Sequence, residues 1–456
     1  MNIRELFDAQ RAFFRNRVTA DVAYRRQALK SLRKAILQRE SRLCAALQED
    51  LGKSAREAYM SEIGMVLSSL SCALRHLRSW TRTRRVSAPM AHFPSSCRVM
   101  PEPYGVTLII SPWNYPLLLC LDPLIAALAA GNCCIVKPSE YAPATAAAIR
   151  DLLSEIFPRD YVSVVEGETE VSRELSELPF DYIFFTGSTA VGRHIMEAAA
   201  RNLTPVTLEL GGKSPCIIDE SAKMGVTARR IAFGKVLNAG QTCVAPDYVL
   251  VPRQRLDEFV EEFRLAVQEM LGEAPLLNPD YVHIINRRHF DRIKALMAGA
   301  EMPVGGGANE ENLRIEPTLL TGVTADCPCM QEEIFGPLLP VIPYDYLSEA
   351  ENFVLSRPKP LACYIFTESR RVEQGLLERL SFGGGCVNDT IVHLAAEKLP
   401  FGGVGASGIG AYHGKAGFDT FTHYKSILRK ATWLDLPFRY HPISSLGNMM
   451  LRLFLR

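Results

Sequence analysis

From residue 105 to residue 210 the chain alternates short, fully apolar runs with stretches of helical period. Val106–Ile110, Cys133–Val136, Val162–Val165, Tyr182–Phe185 and Val206–Leu210 lack the polar alternation of a half-exposed strand, so they read as strands covered on both faces. Helices are predicted between them, over Leu117–Ala130 (ended by Gly131-Asn132), Ala142–Ile156 and Ala190–Ala200. Such alternation predicts a parallel sheet wrapped on both sides, a doubly wound α/β layout of the kind that binds nucleotides. A second α/β pattern starts after Gly211-Gly212. It runs through strand Pro215–Ile218, helix Val226–Leu237, strand Tyr248–Val251, Val341–Pro343 and Leu361–Phe366, to about residue 395. Upstream, Leu29, Leu32, Ile36, Leu43 and Leu47 recur at helical spacing, and Gly52 reads as a stop. Pro89–Pro103, with Pro94 and Pro101 inside it, reads as an excursion, a hairpin arm. The expected division is therefore 1–82 with 104–210 as one domain, 211–395 as a second, and 83–103 with 420–456 as arm and tail.

The 456-residue length fits two or three domains. An apolar fraction of 48% with 22% charged residues is ordinary for a globular protein, and a net charge of +1 argues against a nucleic-acid partner. The twelve cysteines show no metal-type spacing, and the adjacent pair Cys133-Cys134 is poorly placed to bridge. They read as reduced thiols of a cytoplasmic protein, with no metal expected. No secretory signal is visible in the charged N-terminal stretch. After residue 425 the tail sets Asp435 against Arg429, Lys430, Arg439, Arg452 and Arg456, and ends Met449-Met450-Leu451-Arg452-Leu453-Phe454-Leu455-Arg456. That ending reads first as a docking tail and second as a weak membrane-surface contact.

The chemistry centres on Cys243, which follows the turn Asn238-Ala239-Gly240-Gln241-Thr242. A free thiol titrates at about 8.5, so it attacks only when its surroundings or a base activate it. Glu209, at the end of the strand Val206–Leu210, is a candidate base. Ser111-Pro112-Trp113-Asn114-Tyr115-Pro116 follows a strand, and its prolines hold the turn. Asn114 either donates to a developing oxyanion or makes a turn hydrogen bond, and the segment alone leaves both open. Lys137-Pro138-Ser139-Glu140 also follows a strand. Lys137 and Glu140 either hold ribose hydroxyls, with the acid favouring NAD over NADP, or form a solvated strand end. Gly187-Ser188-Thr189-Ala190-Val191-Gly192 opens a helix and either receives a phosphate or merely turns the chain. Glu333 and Phe335, in Glu332–Pro337, suit a ribose and a ring, or a charged loop. His289, His393 and His413 lack metal-ligand spacing and read as satisfied structural histidines.

Taken in order, Ser111–Pro116, Lys137–Glu140, Gly187–Gly192, Glu209–Lys213, Gly240–Cys243, Glu332–Pro337 and the glycine-rich Pro400–Gly408 resemble the aldehyde dehydrogenase superfamily over essentially the whole chain. Thr204–Glu209, Cys243–Tyr248 and Tyr412–Lys415 resemble its class 3, fatty or aromatic aldehyde branch. The resemblance implies two doubly wound α/β domains with a small β oligomerisation arm, the first domain binding NAD(P), in a homodimer. It also implies roles. Cys243 attacks the aldehyde, Asn114 with the Cys243 N–H stabilises the oxyanion, hydride passes to the nicotinamide, and Glu209 activates the water that hydrolyses the thioester. Lys137 and Glu140 bind the adenosine ribose, Gly187–Gly192 lies by the pyrophosphate, and Glu333 and Phe335 place the nicotinamide ribose and ring. Relatives that release the thioester to CoA typically lack this base, so a free acid is expected. The cofactor is expected to be NAD, with NADP possible. Tyr115, Thr242, Ile391, Leu394 and Phe401 at the expected entrance favour a hydrophobic aldehyde over a charged one. The second reading is a non-catalytic binding protein of the same fold.

Overall fold

The apolar runs become strands because other elements cover both faces of each. The structure is a computed structural model that describes residues 2–435, 440–442 and 444–454, so Arg439, Leu455 and Arg456 of the tail lie outside the described residues. Helices Val22–Gln38, Glu40–Leu51 and Gly64–Trp80 form the N-terminal region. Asp21 caps the first by accepting from the Ala23 N–H, and Gly52 ends the second at φ +74°, as its position in the sequence predicts.

Strands β1 (Arg84–Val86) and β2 (Ser95–Pro103) follow, and are antiparallel. Next come β3 (Val106–Ile110), β4 (Cys133–Lys137), β5 (Val162–Val164), β6 (Tyr182–Thr186) and β7 (Val206–Glu209). These five are parallel in the order β7-β6-β3-β4-β5, and every residue of β3, β4 and β6 is buried. The helix Leu118–Ala130, apolar almost all round, stops at Gly131 (φ +100°), where a Cβ would stand 2.5 Å from the Arg25 guanidinium carbon.

The second sheet is built from β8 (Pro215–Ile218), β9 (Tyr248–Pro252), β10 (Glu301–Val304), β13 (Thr318–Thr321), β14 (Leu338–Tyr344), β15 (Ala362–Phe366) and β16 (Gly384–Val387). Their order is β10-β13-β14-β9-β8-β15-β16, with only β10 antiparallel to its neighbour. A two-stranded hairpin, β11 (Ala308–Asn309) and β12 (Arg314–Ile315), stands apart. Residues 256–330, for which no element is predicted from the sequence, hold the helices Leu256–Leu271 and Arg287–Ala295 as well as β10 to β13.

The chain then returns to its beginning. β17 (Gly408–Ile409) adds antiparallel to β7 on the first sheet, so the glycine-rich segment closes that sheet's edge. β18 (Thr422–Lys430) pairs with β2, so the excursion forms a three-stranded sheet β1-β2-β18 rather than a lone hairpin. The tail ends in helix Ser445–Phe454, beside the turn Met90–His92, with Leu446, Met449 and Leu453 exposed. None of the described helices is long and apolar enough to cross a membrane.

Candidate active site

Parallel strands put their carboxyl ends on one edge of the sheet. The segments after β3, β4, β6 and β7 are Ser111–Pro116, Lys137–Glu140, Gly187–Gly192 and Glu209-Leu210, and they share that edge. Cys243 meets them from the second sheet. Asn238, Ala239 and Gly240 before it all have positive φ (52°, 48° and 69°), which costs free energy for the two non-glycine residues. Hydrogen bonds hold them there. Asn238 donates its N–H to Glu57 Oε1 (2.9 Å) and its Nδ2 to the carbonyls of Asn114 (2.9 Å) and Gln241 (3.0 Å). Gln241 donates to the His283 carbonyl at 3.0 Å. At Gly240 a Cβ would fall 2.3 Å from the Gly336 carbonyl oxygen, so the cysteine turn and the Glu332–Gly336 turn are in close backbone contact.

Two cavities meet at Cys243. The first, about 220 Å³, is mostly apolar and includes Tyr115, Thr242, Ile391, Leu394 and Phe401, all five residues expected at a substrate entrance, together with Phe233. Tyr115 and Thr242 share a hydrogen bond of 2.7 Å between their hydroxyls. The second, about 270 Å³, is lined by Asn114, Thr186, Gly187, Ser188, Glu209, Glu333 and Phe335 among others. Leu119 and Cys243 line both.

Asn114 is buried, and its Nδ2 donates to the Gln241 carbonyl at 3.0 Å, across to the cysteine loop rather than within its own turn. One amide hydrogen remains for another acceptor. Glu209 is 2% exposed, and among the described residues neither of its carboxylate oxygens has a hydrogen-bond partner. Burial raises its pKa well above the usual carboxylate range. The Cys243 thiol is also raised, first by burial, then by the charges of Glu333 and Glu209, against its own N–H and that of Val244. Glu333 is pushed up to about 8 by burial and by Asp247, opposed by the Gly212 N–H, Lys213 and Arg292. Its side chain lies over Gly211, where a Cβ would come within 2.0 Å of Oε2.

The remaining sequence candidates divide. Lys137 and Glu140 pair with each other at 2.7 Å and lie outside both cavities. Ser188 caps the helix Thr189–Ala200 by accepting from the Val191 N–H, while Thr189 donates its hydroxyl to the Ala406 carbonyl. Ala190 and Val191 face solvent, and Gly192 packs on Leu210, where a Cβ would come within 2.6 Å of Cδ2. The reading of the histidines as satisfied structural groups fails, among the described residues, at one ring nitrogen, His393 Nε2, which has no hydrogen-bond partner. His289 lines the second cavity with Trp113, and His413 lines the first.

Other groups that build the site gave no local signal. Lys53 and Glu62 form a fully buried ion pair at 2.6 Å. Lys53 Nζ also donates to the Asn114 carbonyl (3.0 Å), and Glu62 Oε2 accepts from the N–H groups of Leu117 (2.8 Å) and Leu118 (3.1 Å). The five-residue π-helix Tyr59–Ile63 carries Glu62 inward. Arg292 holds the Glu332–Phe335 turn by donating to the Ile334 carbonyl (2.6 Å) and Glu332 Oε1 (2.8 Å). Lys213 pairs with Asp247, which accepts from the Ile334 N–H at 2.9 Å. The buried Lys235 donates to the Gly336 carbonyl at 2.9 Å. Only Lys213 and Asp247 adjoin a recognisable motif.

The site thus sets a cysteine between an apolar cavity and the nucleotide edge of a doubly wound sheet, with a buried carboxylate lining the second cavity. The sequence profile of the aldehyde dehydrogenase family matches residues 1–427. The 4,4'-diaponeurosporen-aldehyde dehydrogenase of Staphylococcus aureus is 49% identical over 435 residues, covering 95% of each chain. A probable coniferyl aldehyde dehydrogenase of Pseudomonas aeruginosa is 45% identical, over 100% of this chain and 96% of that one. Aldehyde dehydrogenase family 3 member A2 of Rattus norvegicus is 44% identical, over 92% of this chain and 87% of that one. Among solved structures, the substrate-bound state of Staphylococcus aureus AldH superposes with a TM-score of 0.98 at 47% identity, covering 100% of both chains. A Mycobacterium tuberculosis aldehyde dehydrogenase complexed with NAD+ gives 0.85 at 29% identity, over 94% of this chain and 90% of that one. The chain belongs to the aldehyde dehydrogenase family, in its class 3 branch. It is an NAD(P)-dependent enzyme that oxidises aldehydes.

Proposed function

We propose that the enzyme oxidises a hydrophobic aldehyde to the free carboxylic acid by covalent capture on Cys243. The observation that carries this reading is the place of Cys243, at the junction of an apolar cavity with one that holds the unpartnered Glu209. The second cavity suits a dinucleotide. Thr186 Oγ1, at the end of β6, is buried without a partner, and glycine at 187 keeps a Cβ from standing 2.6 Å from the Phe185 ring. Gly187, Ser188, Glu333 and Phe335 would hold NAD(P) there, with Lys137 and Glu140 farther along the same edge toward a ribose. When bound, the cofactor supplies the hydride acceptor.

The chain's own residues do the rest. The Cys243 thiol loses its proton to a neighbouring carboxylate, and its sulfur bonds to the aldehyde carbon. The carbonyl oxygen becomes an oxyanion held by Asn114 Nδ2 and the Cys243 N–H. Once the carbon is oxidised, a thioester joins the acyl group to Cys243. Glu209 takes a proton from water, the hydroxide adds to the acyl carbon, and the C–S bond breaks to release acid and thiol. A carboxylate with a raised pKa and a free lone pair suits this task.

The two sheets support the division into an NAD(P)-binding domain (1–82, 104–210), a catalytic domain (211–395) and arm with tail (83–103, 420–456). The outer strand β18 leaves Ile427 and Leu428 exposed along an open edge, which supports a homodimer joined through the arm. Twelve free cysteines support a cytoplasmic location. The test is oxidation of hexanal and benzaldehyde with NAD and with NADP, in the wild type and in Cys243→Ser. The variant should bind cofactor and turn over nothing. Equal rates in the two proteins would end the reading, and so would silence of the wild type across short, long and aromatic aldehydes.

A further inference from the structure

We propose that Asp122 and His413 form a tail subsite of the first cavity that binds a hydroxyl group carried by the aldehyde. This rests on the reading of that cavity as the aldehyde site. On the helix Leu118–Ala130 the cavity wall is made by Leu118, Leu119 and Asp122, which share one face. Leu119 also borders the second cavity, and Asp122 lies nearly one turn farther along the helix. An apolar substrate captured at Cys243 thus runs along this face toward a carboxylate.

That carboxylate is unusual in its surroundings. Asp122 is 6% exposed, and among the described residues no group donates a hydrogen bond to it. His413 Nε2 stands 3.5 Å from Oδ2, too far for a good hydrogen bond. A buried carboxylate in an apolar wall is costly unless a donor reaches it. A side pocket of about 20 Å³, lined by Asp122, His413, Ser69 and Trp80, adds room beside the pair. The His413 ring is fixed by stacking on Phe401 (centroids 5.3 Å, 18°) and by the edge of Tyr412 (4.3 Å). Its backbone is left-handed at φ +77°, and at the following Gly414 a Cβ would fall 2.2 Å from the Glu397 carbonyl oxygen. The turn is thus built tightly against its neighbour, and the ring is aimed rather than loose.

Burial lowers the His413 pKa against the opposing pull of Asp122, so the ring is neutral and offers one N–H and one lone pair. A hydroxyl oxygen placed between the two groups donates its hydrogen to Asp122 and accepts the Nε2–H of His413. A methyl end leaves the carboxylate unpaired. A carboxylate end is repelled, and no lysine or arginine among the described residues lining the cavity offsets that. An ammonium end meets Asp122 but leaves the His413 N–H without an acceptor.

The experiment measures kcat/KM of the holoenzyme for alkanals from pentanal to octanal, each beside its ω-hydroxy, ω-carboxy and ω-trimethylammonio counterpart. The same series is run on Asp122→Leu and Asp122→Asn, with thermal unfolding to confirm that both variants fold. At one chain length the wild type should prefer the hydroxyl over the methyl end by about 10- to 100-fold, the range of a hydrogen bond to a charged group. Asp122→Leu should reverse that order. Asp122→Asn should keep a reduced preference, because its amide still accepts. A hydroxyl preference that is absent at every length, or identical in wild type and Asp122→Leu, overturns the subsite while aldehyde oxidation stands. A wild type that favours the cationic or the anionic end also overturns it. If no aldehyde is oxidised, the functional reading itself falls and takes the subsite with it.

Discussion

Replacing Glu209 by Gln keeps the volume of the side chain and removes its charge, and the structure predicts two opposite effects. Glu209 is buried without a hydrogen bond, and burial alone raises its pKa. A group whose folded pKa is raised contributes stability that is fully present below its unfolded pKa, about 4.3 for Glu, and is lost as pH rises through the folded value. At neutral pH the wild type therefore carries a penalty that the variant lacks. An unsatisfied buried polar group costs about 1–3 kcal/mol and a charged one more. The amide retains part of that cost, so the variant should be more stable by about 1 kcal/mol at neutral pH, with the gap closing near pH 4. Denaturant unfolding at several pH values measures this. Catalysis should move the other way. Loss of a general base costs about 10²- to 10⁴-fold in the step it serves, or roughly 3–5 kcal/mol of barrier. Rapid mixing with NAD and hexanal should give a burst of reduced cofactor equal to the site concentration, then a slow phase, and mass spectrometry of quenched protein should find the acyl group on Cys243. Undiminished turnover with no trapped acyl-enzyme would refute the assignment of Glu209 to hydrolysis.

Glu333→Gln removes the larger of the two charges that raise the Cys243 thiol, a charge present above about pH 8, so alkylation by iodoacetamide should accelerate at about pH 9; an unchanged rate there would show that the carboxylate does not govern the thiol. Asn114→Ala should lower kcat by about 10²- to 10³-fold, the usual cost of one oxyanion donor, with little change in unfolding midpoint. Lys53→Met strands the buried Glu62 and should destabilise the protein by about 3–5 kcal/mol. The double variant Lys53→Met with Glu62→Leu should recover most of that stability. It should keep a kcat deficit, because the Asn114 carbonyl loses the charged one of its two donors, Lys53, and keeps only Asn238 Nδ2. Full recovery of kcat would show that the pair is structural only.

Local order was legible because each element's apolar period reflects its own burial. Val106–Ile110 and Pro215–Ile218, buried on both faces, occupy the predicted bounds, and the helix predicted over Ala142–Ile156, buried on one face, is off by one residue. Within residues 256–330 the helix Leu256–Leu271 was readable from Phe259, Phe263, Val267 and Leu271, whereas short strands such as Ala308–Asn309 leave too few positions for a period to show. The Cys243 turn, with Glu209 and Asn114, was readable as a set of reactive types in order along the chain. Its geometry was not: the left-handed backbone at Asn238 and Ala239 is imposed by partners such as Asn114, 124 positions away.

The sequence by itself determined the alternation of strand and helix, the family, and the residue types proposed as nucleophile, base and oxyanion donor. Those properties live in residue type and short spacing. Only the tertiary structure decided that Cys243 stands between two cavities, that Glu209 has no partner, that Lys53 reaches the Asn114 carbonyl across 61 positions, and that Lys235 reaches that of Gly336 across 101. The pairing of Asp122 with His413 belongs to the same class. Contacts of that kind depend on how separately folded layers pack, and packing leaves no periodic trace in either partner's neighbourhood.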